Sequence, residues 1–132
     1  MFSLYEMVST NTDLDIYFSK HLAGPWTPHP LNPVKSDIRS ARPAGTPFFH
    51  EGRLYRPSQD CASHYGSAVA VNEIVVLSEH DFKEIQVSDV RPPADSLYKY
   101  GLHTLSAIGD FTLIDGARKE IAIFPESMIC NR

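Results

Sequence analysis

Few residues of this 132-residue chain are of a type and placement to do chemistry. Gln59-Asp60 closes the strand-like run Arg53–Ser58 and supplies a carboxylate. Hydrolysis of a glycosidic bond needs two carboxyl groups, one as acid and one as nucleophile or base. Asp60 is the first candidate; Asp37 and Asp110 are the nearby seconds, and neither lies in a catalytic motif. Asp60 also suits an Asx-turn, or an ion pair with Arg42 or Arg56. His103 offers an imidazole, as a base or as a hydrogen-bonded, half-buried histidine. Trp26 sits in a proline-rich connector, where its ring either anchors the connector or stacks on a sugar. No GxSxG, P-loop, GxGxxG or HExxH motif occurs. The six histidines are scattered, never at i, i+4 on a helix-like segment, so neither a metal site nor a cofactor is expected. Cys61 and Cys130 form no CxxC pair and read as free thiols.

The elements that must position these residues are short strands. Between Ala41 and Glu84 lie three strand-like runs, Thr46–His50, Arg53–Ser58 and Ala68–Leu77, with Glu84–Val90 directly after. Glu51-Gly52 between the first two favours a tight hairpin. The third run is apolar and β-branched. Together the four predict an antiparallel meander of roughly fifty residues, the size of one propeller blade. Ser78–Glu84 reads as a short helical turn, with Ser78 as its N-cap.

On the N-terminal side, Leu4–Val8 and Leu14–Ser19 read as a hairpin across a polar turn; Leu14, Ile16 and Phe18 share one face. Pro25, Pro28, Pro30 and Pro33 then forbid helix and a central strand. On the C-terminal side, Leu102–Ile108 and Phe111–Asp115 predict a hairpin turning at Gly109-Asp110, and Glu120–Phe124 a further strand. The expected fold is all-β, one domain over residues 1–132, with one full blade at roughly 41–90 and partial blades on either side.

Composition excludes several classes. A net charge of −4, with acids and bases interspersed, argues against a nucleic-acid partner. No apolar run approaches the roughly 18 residues of a membrane helix. The N-terminus has no basic start and no apolar stretch of the secretory kind, so the expected location is cytoplasmic.

Several phrases carry a family resemblance. Gly24-Pro25-Trp26-Thr27-Pro28-His29-Pro30-Leu31-Asn32-Pro33-Val34, Ser40-Ala41-Arg42-Pro43-Ala44-Gly45, Gly52-Arg53-Leu54-Tyr55-Arg56-Pro57 and Gln59-Asp60 stand in order. Tyr65-Gly66, Asn72-Glu73-Ile74, Phe82-Lys83-Glu84 and Gly101-Leu102-His103-Thr104-Leu105-Ser106 continue the series. The string resembles the five-bladed propeller domain of glucosamine inositolphosphorylceramide transferase-type proteins, which is similar in fold to furanosidase-type, arabinanase-like glycoside hydrolases. The resemblance implies a truncated, partial β-propeller, because five blades need roughly 250 to 300 residues. It implies that Arg42, Asp60 and His103 lie near one pocket, with Gln59, Tyr65 and Trp26 available to bind a carbohydrate and Tyr65 as a stacking platform.

The expected function is a carbohydrate-binding or assembly module without turnover, or with little. The alternatives are a glycan-acting hydrolase, an accessory to a sugar transferase, and a structural oligomerisation protein. Incomplete blades should leave apolar faces, Leu14, Ile16 and Phe18 at one end and Leu102–Ile108 with Phe111–Ile114 at the other. A homodimer or higher homo-oligomer is therefore the expected partner state.

Overall fold

A computed structural model describes residues 2–5, 11–109 and 111–120. It is all-β and antiparallel, and no helix occurs among the described residues. Among the described residues ten strands form three sheets: β1 (Phe2–Tyr5), β2 (Asp13–Phe18), β3 (Thr27–Pro28), β4 (Lys35–Ser36), β5 (Phe48–His50), β6 (Arg53–Asp60), β7 (Ala68–Leu77), β8 (Phe82–Val90), β9 (Leu105–Ile108) and β10 (Phe111–Ile114). The expected strand at Glu120–Phe124, and Cys130, lie outside the described residues past Glu120.

The central sheet is the meander β5-β6-β7-β8. Its first turn is Glu51-Gly52, with φ of 49° and 76°. Positive φ at both central residues matches the right-handed twist of the flanking strands. Its last turn corrects the expected helix at Ser78–Glu84. Ser78 Oγ does accept the Asp81 amide N–H at 2.9 Å, but it also accepts that of His80 at 3.2 Å, and Ser78 N–H closes the turn on Asp81 O at 3.0 Å. Four residues close the hairpin, and from Phe82 onward the backbone pairs with β7 instead of coiling. A single turn of helix is marginal in water, whereas a ladder satisfies each peptide group as it grows.

Successive residues of the meander face opposite sides, and the two sides differ in chemistry. One carries Arg56, Ser58, Asn72 and Glu84. Arg56 is fully buried. It clamps Glu84 through two N–H groups at 2.8 and 2.6 Å and donates to Ala41 O at 3.0 Å and Ser40 O at 2.6 Å. Lys35 Nζ also donates to Glu84, at 2.6 Å. Burial pushes the Glu84 carboxyl up, but the Arg56 and Lys35 bonds and charges outweigh it and hold it below the ordinary range. This face is thereby tied to β4 and the 40–41 segment by charge. The other side is apolar: Val69, with Phe48 and Val90, packs against Ala44, Leu102 and Leu105. The chain comes closest at Gly45, where a Cβ would fall 2.0 Å from Leu105 O, and Leu105 N–H donates to Ala44 O at 2.7 Å.

In the N-terminal sheet, β2 pairs with β1, and also with β3 and β4 at its two ends. The prolines interrupt the ladder between β3 and β4, and a side chain fills the gap. Asn32 accepts the Ile16 N–H at 2.9 Å and donates to Ile16 O at 2.8 Å. His29 is the buried residue of this connector, at 2% exposure, and Trp26 is 37% exposed. The anchor expected in Trp26 is therefore His29, whose N–H reaches Ile16 O and whose Nδ1 accepts the Leu31 N–H. Leu14 and Ile16, expected to be bare, are fully buried, and Phe18 is half-buried; the proline-rich segment runs alongside them, with His29 N–H on Ile16 O and Val34 N–H on Leu14 O. The β9–β10 hairpin is different: all four residues of β10 are exposed.

Candidate functional site

Three of the singled-out residues meet beside the loop joining β6 to β7. Arg42 precedes the meander, and its guanidinium carbon lies 5.0 Å from the centre of the Tyr65 ring, a cation–π contact. Tyr65 meets His103 edge-on, with ring centres 5.6 Å apart and planes at 65°. His103 Nδ1 contacts Asp115 Oδ2, while Asp115 Oδ1 accepts the N–H groups of His103 at 2.9 Å and Thr104 at 2.8 Å. Burial works against the Asp115 charge, but those backbone donors, the Thr104 hydroxyl and the His103 ring hold its carboxyl below the usual range.

Local backbone makes this possible. Gly66 has φ of 64°, and a Cβ there would sit 2.5 Å from His103 Cβ. Its carbonyl accepts the Leu102 N–H at 2.9 Å, seating the segment before β9 that carries His103. The loop is closed by Ser67, whose N–H and hydroxyl both donate to Asp60 O, at 3.0 and 2.8 Å. Tyr65 remains 53% exposed, so the cluster presents a reachable aromatic ring with a cation over it.

Gln59 lies deeper. Its N–H donates to Arg42 O at 2.8 Å and its side chain to Pro43 O at 3.3 Å, so it fixes the Arg42 backbone. Asp60, next along the strand, joins a different set. Its Oδ1 accepts the Ala62 N–H at 3.0 Å, which is an Asx-turn, and its Oδ2 lies 3.7 Å from Arg91. Asp60 lines a polar cleft of about 370 Å³ with Asp37, Arg39, Gln86, Asp89 and Arg91. In that cleft burial raises the Asp37 carboxyl, but the Arg39 N–H, the Ser40 hydroxyl and the charges of Lys35 and Arg39 prevail and keep it low. The ion partners named for Asp60, Arg42 and Arg56, are engaged elsewhere. Trp26 lies just before β3, away from this group, and Asp110 lies outside the described residues. Cys61 is a buried free thiol. Among the described residues, no group of three or more His, Cys, Asp or Glu is placed to hold a metal ion.

Sequence reasoning missed Asp115 and Glu84. For Asp115 a signal existed in the hairpin register. Leu105 pairs with Ile114, so one step further sets Thr104 opposite Asp115.

Fold and cluster together define an all-β module of antiparallel strands, with an Arg–Tyr–His group, its tyrosine exposed, beside the β6–β7 loop of its central sheet. Residues 3–95 match the family described as glucosamine inositolphosphorylceramide transferase 1, N-terminal. The chain belongs to that family. It is 40% identical over 79 residues to glucosamine inositolphosphorylceramide transferase 1 of Arabidopsis thaliana, covering 58% of this chain and 10% of the relative. It is 39% identical over 83 residues to the protein of the same name from Oryza sativa subsp. japonica, covering 61% of this chain and 11% of the relative. The chain thus matches about a tenth of the length of these curated relatives. No solved structure matches it. The family match contains Trp26, Arg42, Gln59, Asp60 and Tyr65 and stops short of His103 and Asp115.

Proposed function

We propose that this chain is a carbohydrate-binding module that serves a sugar transferase and does not itself turn over a glycan. The observation that carries this reading is the Arg42–Tyr65–His103 group. An exposed aromatic ring offers a face or edge to a sugar, and a guanidinium beside it offers charged hydrogen bonds. That pairing suits a sugar bearing a negative charge, such as the phosphorylated inositol in the relatives' name. The four-stranded meander has the make-up of one propeller blade, which supports descent from a five-bladed propeller of the furanosidase-related kind.

Binding is preferred to hydrolysis on electrostatic grounds. A glycosidase needs one carboxyl held protonated, with its pKa raised. Asp37, which lines the cleft with Asp60, is held low instead. The second reading, hydrolysis, rests on Asp37, Asp60 and Asp89 lining one cleft.

A glycan array followed by calorimetry on the best binder tests both. Arg42→Ala should weaken binding roughly ten- to hundredfold, the value of a lost charged hydrogen bond. Asp60→Asn should leave it within a few-fold. Reducing sugar released by the wild type and abolished by Asp60→Asn would instead establish the hydrolase.

A further inference from the structure

We infer that the loop joining β6 to β7 carries a second sugar subsite, His64–Tyr100–Lys119, beside Arg42–Tyr65–His103, so that the module takes an acidic oligosaccharide rather than a single sugar. The inference rests on the carbohydrate-binding reading above and names its ligand class. Both groups share one construction. The loop supplies His64 and Tyr65, and the facing segment supplies Tyr100 and His103, paired crosswise: His64 with Tyr100, Tyr65 with His103. The His64 and Tyr100 rings stack with centres 4.4 Å apart and planes at 18°. A cation stands over each tyrosine, the Arg42 guanidinium 5.0 Å from the Tyr65 centre and Lys119 Nζ 4.2 Å from that of Tyr100.

Backbone contacts fix the second group as they fix the first. Gly101 runs so close to the loop that a Cβ there would fall 2.5 Å from Gly66 O. Tyr100 N–H donates to Ala117 O at 3.0 Å and Ala117 N–H to Gly101 O at 2.8 Å, which brings the segment carrying Lys119 alongside. A carbonyl can only accept, so His64 Nε2 donates to Tyr100 O, at 2.6 Å, and Nδ1 is left for a ligand hydroxyl. Among the described residues Lys119 pairs with no carboxylate, whereas its neighbour Arg118 is held by Glu120. An ammonium kept off acids, in a chain of net charge −4, suits a carboxylate or phosphate on the ligand. His64 and Tyr65 are consecutive, and Tyr100 stands three residues before His103, at most about 10 Å away. Two or three linked sugar rings match that span, and a cation at each end favours acid groups on more than one ring. Tyr100, His103 and Lys119 all lie beyond the family match, which ends at residue 95.

Calorimetry on the full chain tests this with two ladders of ligands. One is galacturonic acid with its dimer and trimer; the other is mannose phosphate with bisphosphorylated mannobiose. In at least one ladder the longer ligand should bind roughly ten- to hundredfold more tightly than the monosaccharide, the value of one further charged hydrogen bond. The ladder that shows the gain identifies the acid group as carboxylate or phosphate. Neutral maltose and maltotriose should show no such gain. Lys119→Ala should abolish the gain, and Lys119→Arg should restore it. Arg118→Ala should keep it, because that guanidinium is already held by Glu120. Lys119 is exposed, so its replacement leaves the fold intact. Monosaccharide binding that depends on Arg42, with equal affinity at every length in both ladders, overturns the second subsite and leaves the binding reading standing. A gain untouched by Lys119→Ala overturns it as well. No binding in either ladder or on the glycan array removes both.

Discussion

The most consequential side chain is one that touches no candidate ligand site. Arg56 is fully buried and directs its donors to one carboxylate and two carbonyls. Removing one partner of such a pair leaves a buried charge uncompensated, at about 3–5 kcal/mol. Glu84→Gln should therefore lower stability by about that much at pH 7, and the Arg56→Met/Glu84→Gln double variant should recover a large part of it. Thermal melts of the three proteins decide; equal losses in single and double variants would sink the idea. The sequence offered no hint of this pair, because Arg56 and Glu84 stand on strands that are not neighbours and meet only across β7. The same limit hid Asp115. The grouping of Arg42, Tyr65 and His103 came from the family resemblance and not from their spacing, and Asp60, expected in the same pocket, lies with Arg91 instead.

Turns and strands tell more of the story than single residues do. The four runs of the central meander were readable from β-branched content and from Glu51-Gly52, and their ends shift by only a few residues. What alternation could not supply was the fate of Ser78–Glu84, where a local cap is compatible with either helix or hairpin and the partner strand decides. Glycine positions separate the two kinds of turn experimentally. Gly52 has φ of 76°, and a Cβ added there would meet nothing within 4 Å, so Gly52→Ala should cost only the left-handed strain, about 1 kcal/mol. Gly66 has a similar φ but a Cβ there collides with His103. Gly66→Ala should cost roughly 2–3 kcal/mol, adding overpacking to strain, and should weaken glycan binding as His103 moves. Urea unfolding beside calorimetry measures both; equal penalties at the two sites would show that the loop relaxes without disturbing the cluster.

Across the whole molecule, the central meander is held to its neighbours by opposite means: charge toward the N-terminal sheet, apolar burial toward the hairpin. Acid should discriminate between them. Glu84 titrates below its ordinary range in the folded chain. Its contribution is thus fully present above the unfolded glutamate value of about 4.3 and is lost as pH falls through the lower folded value. The Val69, Leu102 and Leu105 contact has no such dependence. Residues 35–41 should accordingly lose amide protection in acid before residues 102–108 do, once intrinsic exchange rates are removed. Simultaneous loss on both sides would show that the meander unfolds as one unit. Of the apolar N-terminal face expected from the alternation of β2, Leu14 and Ile16 are buried, and beside them an irregular proline-rich segment uses the Asn32 amide as a substitute strand, which periodicity does not contain.

The position of Leu102 and Leu105 has a bearing on where this family's domain stops. The likeness to the family runs out at residue 95, yet Ala44, Phe48, Val69 and Val90, all within the likeness, close their packing on residues beyond it. The border traced by shared ancestry and the border traced by dry contact therefore fall at different residues. A cut at the first would bare the apolar side of the meander and discard His103 and Asp115. The smallest piece that keeps both the core and the cluster whole reaches at least to Asp115.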